Sequence, residues 1–295
     1  MVSEISRKQA KILGIKLDST SKTQVLRFVR SRLARAPSGT PFFIATPNPE
    51  IIMRAQKDKH LAKILNSADL ALPDGVGLVQ AAKFLALTNP QNRLARPLVL
   101  LFQGLVVGLA TFFKKPWLYS GLRPIKGRQV FSALIELANK KGWRVFLLGD
   151  RQESAQETVK KLELNYKKTK FYAASGPNLD LAAKPQSKKD SFIEKEVVSS
   201  INKFKPHLLF VAFGAPKQEK WLSTWLPKLD IGGAMVVGGV FDYLSGRASL
   251  PPSWIENLGF EWLWRLAKQP WRLKRILIAF PVFPLKVFWS KLNTP

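Results

Sequence analysis

Asp74 is the residue of this sequence best placed to take a proton from a substrate. It lies in the segment Pro73-Asp74-Gly75-Val76-Gly77, where the proline favours extended backbone and the glycines let a ligand approach the main chain closely. A carboxylate in such a turn can act as a general base toward a hydroxyl group. The structural alternative, which the sequence leaves open, is that Asp74 caps the helix that follows.

A second polar turn, Thr46-Pro47-Asn48-Pro49-Glu50, follows a short apolar run. The hydroxyl group of Thr46 and the amide group of Asn48 can hydrogen-bond an amide or a hydroxyl group of a ligand. Because Asn48 also precedes a predicted helix, the alternative is that it serves as the N-cap of that helix.

The segment 213–219 is typical of a helix start that faces an anion. Its small residues leave backbone N–H groups open, Pro216 suits a first helical position, and Lys217 can pair with a phosphate group. Gln218 follows directly and adds an amide group. The alternative is an ordinary charged first turn of a helix.

Gly238 and Gly239 form a turn directly after another apolar run, and Asp242 follows them. This turn is not the G-x-G-x-x-G pattern of dinucleotide-binding proteins, and the sequence contains no Walker pattern. The sequence therefore disfavours a nicotinamide-dependent dehydrogenase and a P-loop nucleotidase. A tight turn with a purely structural role is the alternative.

The C-terminal tail mixes tryptophans with basic residues. They are Trp254, Trp262, Trp264, Trp271 and Trp289 among Arg265, Arg272, Lys274, Arg275, Lys286 and Lys291. Tryptophan beside lysine and arginine fits an anionic membrane surface, and the arginines could also clamp a diphosphate. Single-stranded nucleic acid is a third possible partner, and a helix packed on the core with a solvated basic face is the structural alternative.

The composition narrows the chemistry. The chain has 295 residues, 46% of them hydrophobic, and a formal net charge of +27, which calls for an acidic partner such as nucleic acid, anionic lipid or a phosphate-rich substrate. It contains no cysteine, which excludes disulfides, thiolate catalysis and cysteine-ligated metals. With two histidines, His60 and His207, a histidine metal cluster and a histidine-centred triad are disfavoured.

Apolar strands alternate with helices along most of the chain. The strands are predicted at 41–46, 68–72, 143–150, 170–175, 207–214 and 234–241, and helices at 20–37, 50–66, 128–141 and 191–204. This alternation predicts an α/β fold: a Rossmann-like, open and mostly parallel sheet flanked by helices, with a basic aromatic appendage at the C-terminus. Because ligands of such sheets bind beyond the carboxyl ends of the strands, the polar turns above are expected to meet there.

We expect residues 1–250 to form the catalytic α/β domain and residues 251–295 the appendage. Residues 87–127 interrupt the alternation of strands and helices and are expected to be an apolar insertion that could contact a membrane. Their uncharged run 97–113 is close to the shortest length that can span a bilayer. This run is interpreted first as a re-entrant or interface-embedded segment, then as a buried core helix, and third as a membrane span. The N-terminus lacks the apolar region of a signal peptide, so export is not expected.

Taken together and in this order, the motifs resemble the WecG/TagA/CpsF family of bacterial glycosyltransferases over residues 40–275. The resemblance is carried by Thr46-x-Asn48, Asp74-Gly75-x-Gly77, Phe146-Leu147-Leu148-Gly149, Pro216-Lys217-Gln218-Glu219, Gly238-Gly239-x-Phe241-Asp242, Glu261-Trp262-x-x-Arg265 and Pro270-x-Arg272-x-x-Arg275. It implies an inverting transferase that needs no metal or other cofactor. The implied donor is a UDP-sugar such as UDP-N-acetylmannosamine, and the acceptor is an amino sugar on a polyprenyl diphosphate at the cytoplasmic face of the inner membrane.

The resemblance also implies residue roles in cell-surface polysaccharide synthesis. Asp74 would be the catalytic base. The donor sugar would contact Thr46, Asn48 and Gln218; the nucleotide would contact Gly149, Lys217, Gly238, Gly239 and Asp242; the acceptor diphosphate would contact Arg123, Arg265, Arg272 and Arg275.

Three departures from the family pattern stand out. The arginine that usually follows the Asp74 helix is displaced, so that Arg123 or Lys126 is expected to substitute; Leu250 replaces an arginine before the tail; and residues 88–122 look inserted. Two other interpretations compete with the transferase: a basic nucleic-acid-binding protein, which the resemblance disfavours, and an inactive membrane-anchored scaffold of the same fold. The sequence leaves the oligomeric state undecided.

Overall fold

The computed structural model describes residues 8–34, 40–113, 115–150, 153–252, 255 and 261–294, without the side chains of residues 112, 262 and 265. Its strands are β1 (Gln9–Ile12), β2 (Ile15–Asp18), β3 (Phe42–Ala45), β4 (Leu70–Ala71), β5 (Arg144–Gly149), β6 (Lys170–Ser175), β7 (Leu208–Val211) and β8 (Gly233–Val236). β1 and β2 form an antiparallel hairpin. The other six form one sheet in the order β4-β3-β8-β7-β5-β6, and every pair in it is parallel. The predicted α/β fold with a parallel sheet is confirmed.

Helices connect and cover these strands. They are α1 (Lys22–Ala34), α2 (Pro49–Ala55), α3 (Lys59–Asn66), α4 (Val76–Ala86), α5 (Arg96–Phe112), α6 (Gly127–Lys141), α7 (Ser154–Asn165), α8 (Lys188–Phe204), α9 (Lys217–Trp225), α10 (Val240–Ser245), α11 (Glu261–Lys268), α12 (Leu273–Leu277) and α13 (Phe283–Leu292).

The core consists of two apolar layers, one on each face of the sheet. Along β3, Phe42 and Ile44 point into the layer that contains α1, α6 and α7, whereas Phe43 and Ala45 point into the layer of α2, α3, α4 and α9. Successive side chains of a strand face opposite sides of a sheet. Because helices cover both faces, both sets must be apolar, which is why the predicted strands are continuous apolar runs.

Several element boundaries differ from the prediction. The helix expected over 50–66 is two helices, because the Asp58 side chain caps α3 by accepting a hydrogen bond from the N–H of Leu61 at 2.9 Å. The strands expected over 207–214 and 234–241 end earlier, at Val211 and Val236. Beyond them the chain turns through Gly214 and Gly238, whose φ angles of 73° and 54° suit glycine. The hairpin of β1 and β2 was not predicted.

The apolar run 97–113 forms α5, which packs on α4 through one face. Leu100, Val107 and Ala110 are buried on that face. The remaining face exposes large apolar side chains, namely Leu98, Leu101, Phe102, Leu105 and Leu109. The expectation of a buried core helix is therefore wrong for this outer face. In the described part of the chain, no helix combines the length and the apolar character needed to cross a bilayer.

The last helix, α13, packs against α4 and α5. Phe283 and Val287 are buried in the same apolar layer as these helices. Lys291 is buried as well, and its Nζ donates hydrogen bonds to the main-chain oxygen of Leu87 at 2.8 Å and to that of Phe84. The end of the chain is thus anchored to the domain by packing and by a buried cation. The division at residue 250 and the inserted character of 87–127 stay predictions.

Candidate functional site

Five adjacent strands deliver the predicted site residues to one edge of the sheet. Asp74 follows β4, Thr46 follows β3, Gly238 follows β8, Gln218 follows β7, and Gly149 ends β5. Because these strands are neighbours in that order and run parallel, their carboxyl ends form one continuous edge. The expectation that these turns meet is confirmed, and this strand-end edge is the candidate active site.

Asp74 is fixed at this edge by its backbone. Its N–H donates to the main-chain oxygen of Pro47 at 2.9 Å, and the N–H of Ile125 donates to the oxygen of Pro73 at 2.9 Å. Gly75, with a φ of 109°, occupies the N-cap position of α4, so that Asp74 precedes the cap by one residue. Asp74, which is partly buried, therefore lies between the turn after β3 and the loop before α6.

Thr46 and Asn48 each have a structural contact. The buried Thr46 hydroxyl donates to the main-chain oxygen of Val236 at 3.2 Å and so joins β3 to β8. The Oδ1 atom of Asn48 accepts from the N–H of Ile51 at 2.9 Å, which makes Asn48 the N-cap of α2. A Cβ atom on Gly127 would lie 3.4 Å from the Thr46 methyl group, so that α6 begins close to this turn. The amide nitrogen of Asn48 is the polar part of its side chain that capping does not use.

Gln218 connects the turns after β7 and β8. Its Oε1 accepts from the N–H of Gly238 at 3.2 Å, and its Nε2 donates to Oε1 of Glu219 at 2.9 Å. Both side chains are buried, and burial raises the pKa of Glu219 to about 7. Glu219 is not among the predicted site residues, although its place in the motif, in the first turn of α9, is a signal in the sequence.

The predicted nucleotide contacts lie toward the β5 and β8 side of the edge. Gly149 has a packing role, because a Cβ atom there would lie 2.9 Å from the Cβ of Ala155 at the start of α7. Asp242 is in the first turn of α10; burial and then the Asp150 carboxylate raise its pKa, against the lowering effect of Arg272. Lys217 is the first residue of α9 and Gly239 is exposed.

The tail arginines reach the same edge. Nε of Arg275 donates to both carboxylate oxygens of Glu50, at 2.9 and 2.8 Å, in the first turn of α2. Arg272 is close enough to Asp242 to influence its pKa. Arg123 is exposed, two residues before the segment that contacts Pro73. The side chain of Arg265 lies outside the described part of the chain.

Glu261, at the start of α11, also ties the tail to the edge. Its carboxylate lies 3.4 Å from Nζ of Lys126 and 3.6 Å from Nη1 of Arg128, at the beginning of α6. Glu261 belongs to one of the family motifs but is not among the predicted site residues. Within the described residues, no three acidic or histidine side chains come together in a way that could hold a metal ion.

Comparison with known proteins identifies the family. The model of the glycosyl transferase WecG/TagA/CpsF family matches residues 10–102 and 104–295. The chain is similar to the N-acetylglucosaminyldiphosphoundecaprenol N-acetyl-beta-D-mannosaminyltransferase of Bacillus subtilis strain 168, with 31% identity over 252 residues, 85% of this chain and 80% of that protein. It is also similar to the protein of the same name in Staphylococcus aureus strain MW2, with 26% identity over 280 residues, 95% of this chain and 92% of that protein. The chain therefore belongs to the WecG/TagA/CpsF family of glycosyltransferases and is an enzyme of that class.

Proposed function

We propose that this protein transfers an N-acetylhexosamine-type sugar from a UDP-linked donor, similar to UDP-N-acetylmannosamine, to a sugar carried on a polyprenyl diphosphate. The observation that carries the proposal is the convergence of Asp74, Thr46, Gln218 and the tail arginines on one sheet edge. The names of the two relatives support the acceptor class, since both are N-acetylglucosaminyldiphosphoundecaprenol transferases.

Asp74 is the base of the proposed reaction. It removes the proton from the acceptor hydroxyl as the resulting oxygen attacks the anomeric carbon of the donor. The new glycosidic bond forms on the face opposite the nucleotide, the bond from that carbon to the diphosphate oxygen breaks, and UDP leaves with its electron pair. One displacement with one base inverts the configuration at the anomeric carbon. The position of Asp74, half-buried between two loops, suits a group that must meet a hydroxyl entering from outside.

Positive charge at the edge offsets the charge that develops on the departing UDP. Lys217 begins α9, where the positive end of the helix dipole favours an anion. Arg272 and Arg275 carry guanidinium groups, which form strong charge-assisted bonds to phosphate oxygens, and in this proposal they bind the diphosphate of the acceptor. We propose that Lys217 and the dipole of α9 do for the departing UDP the work that a metal ion does in other transferases, so that the reaction proceeds without a metal.

The donor sugar lies, in this proposal, against Thr46, the Asn48 amide nitrogen and Gln218. Gln218 is already held at both ends of its amide, so its orientation is set before a sugar arrives. Gly238 and Asp242 would border the nucleotide on the β8 side. Preorganised polar groups of this kind lose little entropy on binding.

Peripheral contact with an anionic membrane completes the proposal, because a polyprenyl acceptor is embedded in one. The outer face of α5 and several tail side chains are apolar and exposed; in the tail these are Trp271, Leu273, Leu277, Phe280, Val282, Leu285 and Trp289. The chain's net charge of +27 favours an anionic surface. We place the enzyme at the cytoplasmic face of the plasma membrane.

A donor panel tests the function. The purified full-length protein receives UDP-N-acetylmannosamine, UDP-N-acetylglucosamine or UDP-N-acetylgalactosamine, with a short-chain polyprenyl-diphosphate-linked N-acetylglucosamine and EDTA. We expect UDP release with UDP-N-acetylmannosamine that depends on the acceptor and persists in EDTA. Release that stops in EDTA would contradict metal independence, and absence of release from every donor would contradict the proposed reaction.

A further inference from the structure

Glu50 is a buried carboxylate that holds two arginines. It is 6% exposed, although it lies in the first turn of α2, directly beside the Asn48 cap. Its Oε1 accepts from Nε and Nη2 of Arg54, at 3.1 and 3.0 Å. Nε of Arg275 reaches the same carboxylate from the tail, at 2.9 and 2.8 Å to its two oxygens. Burying a carboxylate is costly unless it is paired and hydrogen-bonded, and these contacts supply both.

The Glu50 carboxylate lies between the proposed donor-sugar contacts and the tail. On one side, the positive charge of Arg54 also acts on Glu219, the hydrogen-bond partner of Gln218. On the other side, Arg275 is one turn beyond Arg272, which acts on Asp242 across the edge. The position of Arg275 therefore determines where the neighbouring basic residues of the tail lie relative to the strand ends.

The rest of the tail is anchored elsewhere. α13 is held by its buried apolar residues and by Lys291. α11 is held through Glu261 to Lys126 and Arg128. Between these two anchors, the ion pair of Arg275 with Glu50 joins the intervening segment 269–277 to the domain, and the charge of Arg272 in the same segment acts on Asp242. Loss of the Glu50 pair would loosen that segment without detaching the tail.

We infer that Glu50 is a positioning residue for the acceptor: by holding Arg275, it fixes segment 269–277 against the strand-end edge, so that the tail cations meet the acceptor diphosphate. The part of this inference that concerns the acceptor rests on the proposed function. The part that concerns the position of the segment stands on the geometry of Glu50 alone.

The absence of cysteine in the sequence allows a direct measurement of that position. Lys274→Cys places a spin label in the segment, and Lys141→Cys places another at the far end of α6; both lysines are exposed. α6 starts near the edge and its 15 residues extend about 22 Å away from it, a separation suited to electron–electron double resonance. The full-length labelled protein should give one narrow distance distribution, and Glu50→Gln should broaden it.

Two further variants make the result specific. Asp230→Asn is the control, because it removes the carboxylate of another ion pair, at 2.7 Å from Lys205, ahead of β8 and therefore at the opposite edge of the sheet. It should leave the distribution narrow. Arg275→Gln removes the other, more exposed partner of the same ion pair. It replaces Glu50→Gln in the experiment if that variant does not fold. It should broaden the distribution in the same way.

Kinetics separate positioning from a general loss of structure. Glu50→Gln should lower kcat/KM for the polyprenyl acceptor by about tenfold or more, as expected when a buried charge pair is broken. The KM for the UDP-sugar should change less, although Arg54, the other partner of Glu50, acts on Glu219 beside Gln218. Glu50→Asp, which keeps the charge, should restore part of the loss. A narrow distribution in both Glu50→Gln and Arg275→Gln would overturn the inference, and so would a broad one with unchanged acceptor kinetics. If the unmodified protein shows no turnover, the proposed function fails, while the distances still test the position of the segment.

Discussion

The strand-end edge and the C-terminal tail are each held in place by a different kind of interaction. At the edge, the side chains of Thr46 and Gln218 are buried and bonded to main-chain atoms of the neighbouring turn. In the part of the tail that precedes α13, Arg275 and Glu261 are partly exposed and bonded to charged side chains. Main-chain partners are present in any sequence of the same fold, whereas a charged partner is lost by one substitution.

This difference suggests a division of labour. A rigid edge suits the proposed donor and base, because catalysis depends on groups that are preorganised before the substrate arrives. A segment held by ion pairs suits the proposed acceptor, which would enter from a membrane and leave again with an added sugar. Ion pairs near the surface weaken with ionic strength, so the tail should respond to salt more than the edge does.

A large effect is expected on the periphery of the molecule. Replacing Leu101 and Leu105 by glutamate on the outer face of α5 should weaken binding to vesicles that contain phosphatidylglycerol on the order of 100-fold. The variant no longer transfers two leucine side chains from water into the bilayer, and its two new negative charges are repelled by anionic lipid. Vesicle sedimentation measures this. Leu164→Glu, at a leucine on α7 that is 71% exposed, is the matched control and should bind as the unmodified protein does. Equal binding by the α5 variant would show that α5 is not the membrane contact.

The dependence of the free energy of unfolding on pH tests whether Glu219 is buried at the strand-end edge. Burial raises the pKa of Glu219 from 4.5 to about 7, so between these values the folded state binds more protons than the unfolded state. The free energy of unfolding should therefore fall as pH rises through this window, by roughly 3 kcal/mol from this group. Glu219→Gln imitates the protonated form and should be more stable than the unmodified protein above pH 7, with little difference near pH 4.5.

Urea denaturation of both proteins at several pH values checks this prediction. Asp242, whose pKa is also raised, contributes in the same direction and is unchanged in the variant, so the difference between the two curves isolates Glu219. If the free energies of unfolding of the two proteins change in parallel between pH 4.5 and 7, Glu219 is ionised in the folded protein. Its carboxyl group would then be in contact with water and not buried in the edge.

A smaller effect is expected at Gly149. A Cβ atom there would lie 2.9 Å from the Cβ of Ala155, so Gly149→Ala should push α7 away from β5 and cost about 1–3 kcal/mol of stability. Gly108→Ala is the control: nothing lies within 4 Å of the added methyl group, and alanine in the middle of α5 should stabilise by roughly 0.5–1 kcal/mol. Equal midpoints of urea denaturation for the two variants would contradict the close packing of this strand end.

The sequence predicts the edge well, for a physical reason. Strands buried on both faces must be continuous apolar runs, and each run here ends in glycine, proline, asparagine or aspartate. Parallel strands then carry all these turns to one edge. Asn48 shows the limit of this reasoning, because its spacing fits a ligand contact and an N-cap equally, and the cap is the contact that the structure contains.

Other features had no local signal. The break between α2 and α3 depends on Asp58 as a cap within an otherwise helical pattern, and the hairpin at the N-terminus consists of two four-residue strands of mixed polarity. The pair of Glu50 with Arg275 joins residues 225 positions apart, so neither residue's neighbours in sequence reveal it. Such pairing is decided by how the tail packs, which the order of the motifs does not determine.

The proposed role of Asp74 as the base at the strand-end edge can be tested with one preparation of Asp74→Asn. In this variant we would measure both the affinity for UDP by calorimetry and the rate of sugar transfer to a polyprenyl-diphosphate acceptor. We expect an unchanged affinity for UDP and a transfer rate about 10²–10⁴-fold lower, as expected for loss of a general base. Asp230→Asn, which changes an exposed aspartate, should leave both unchanged. Transfer by Asp74→Asn at the rate of the unmodified enzyme would show that Asp74 is not the base.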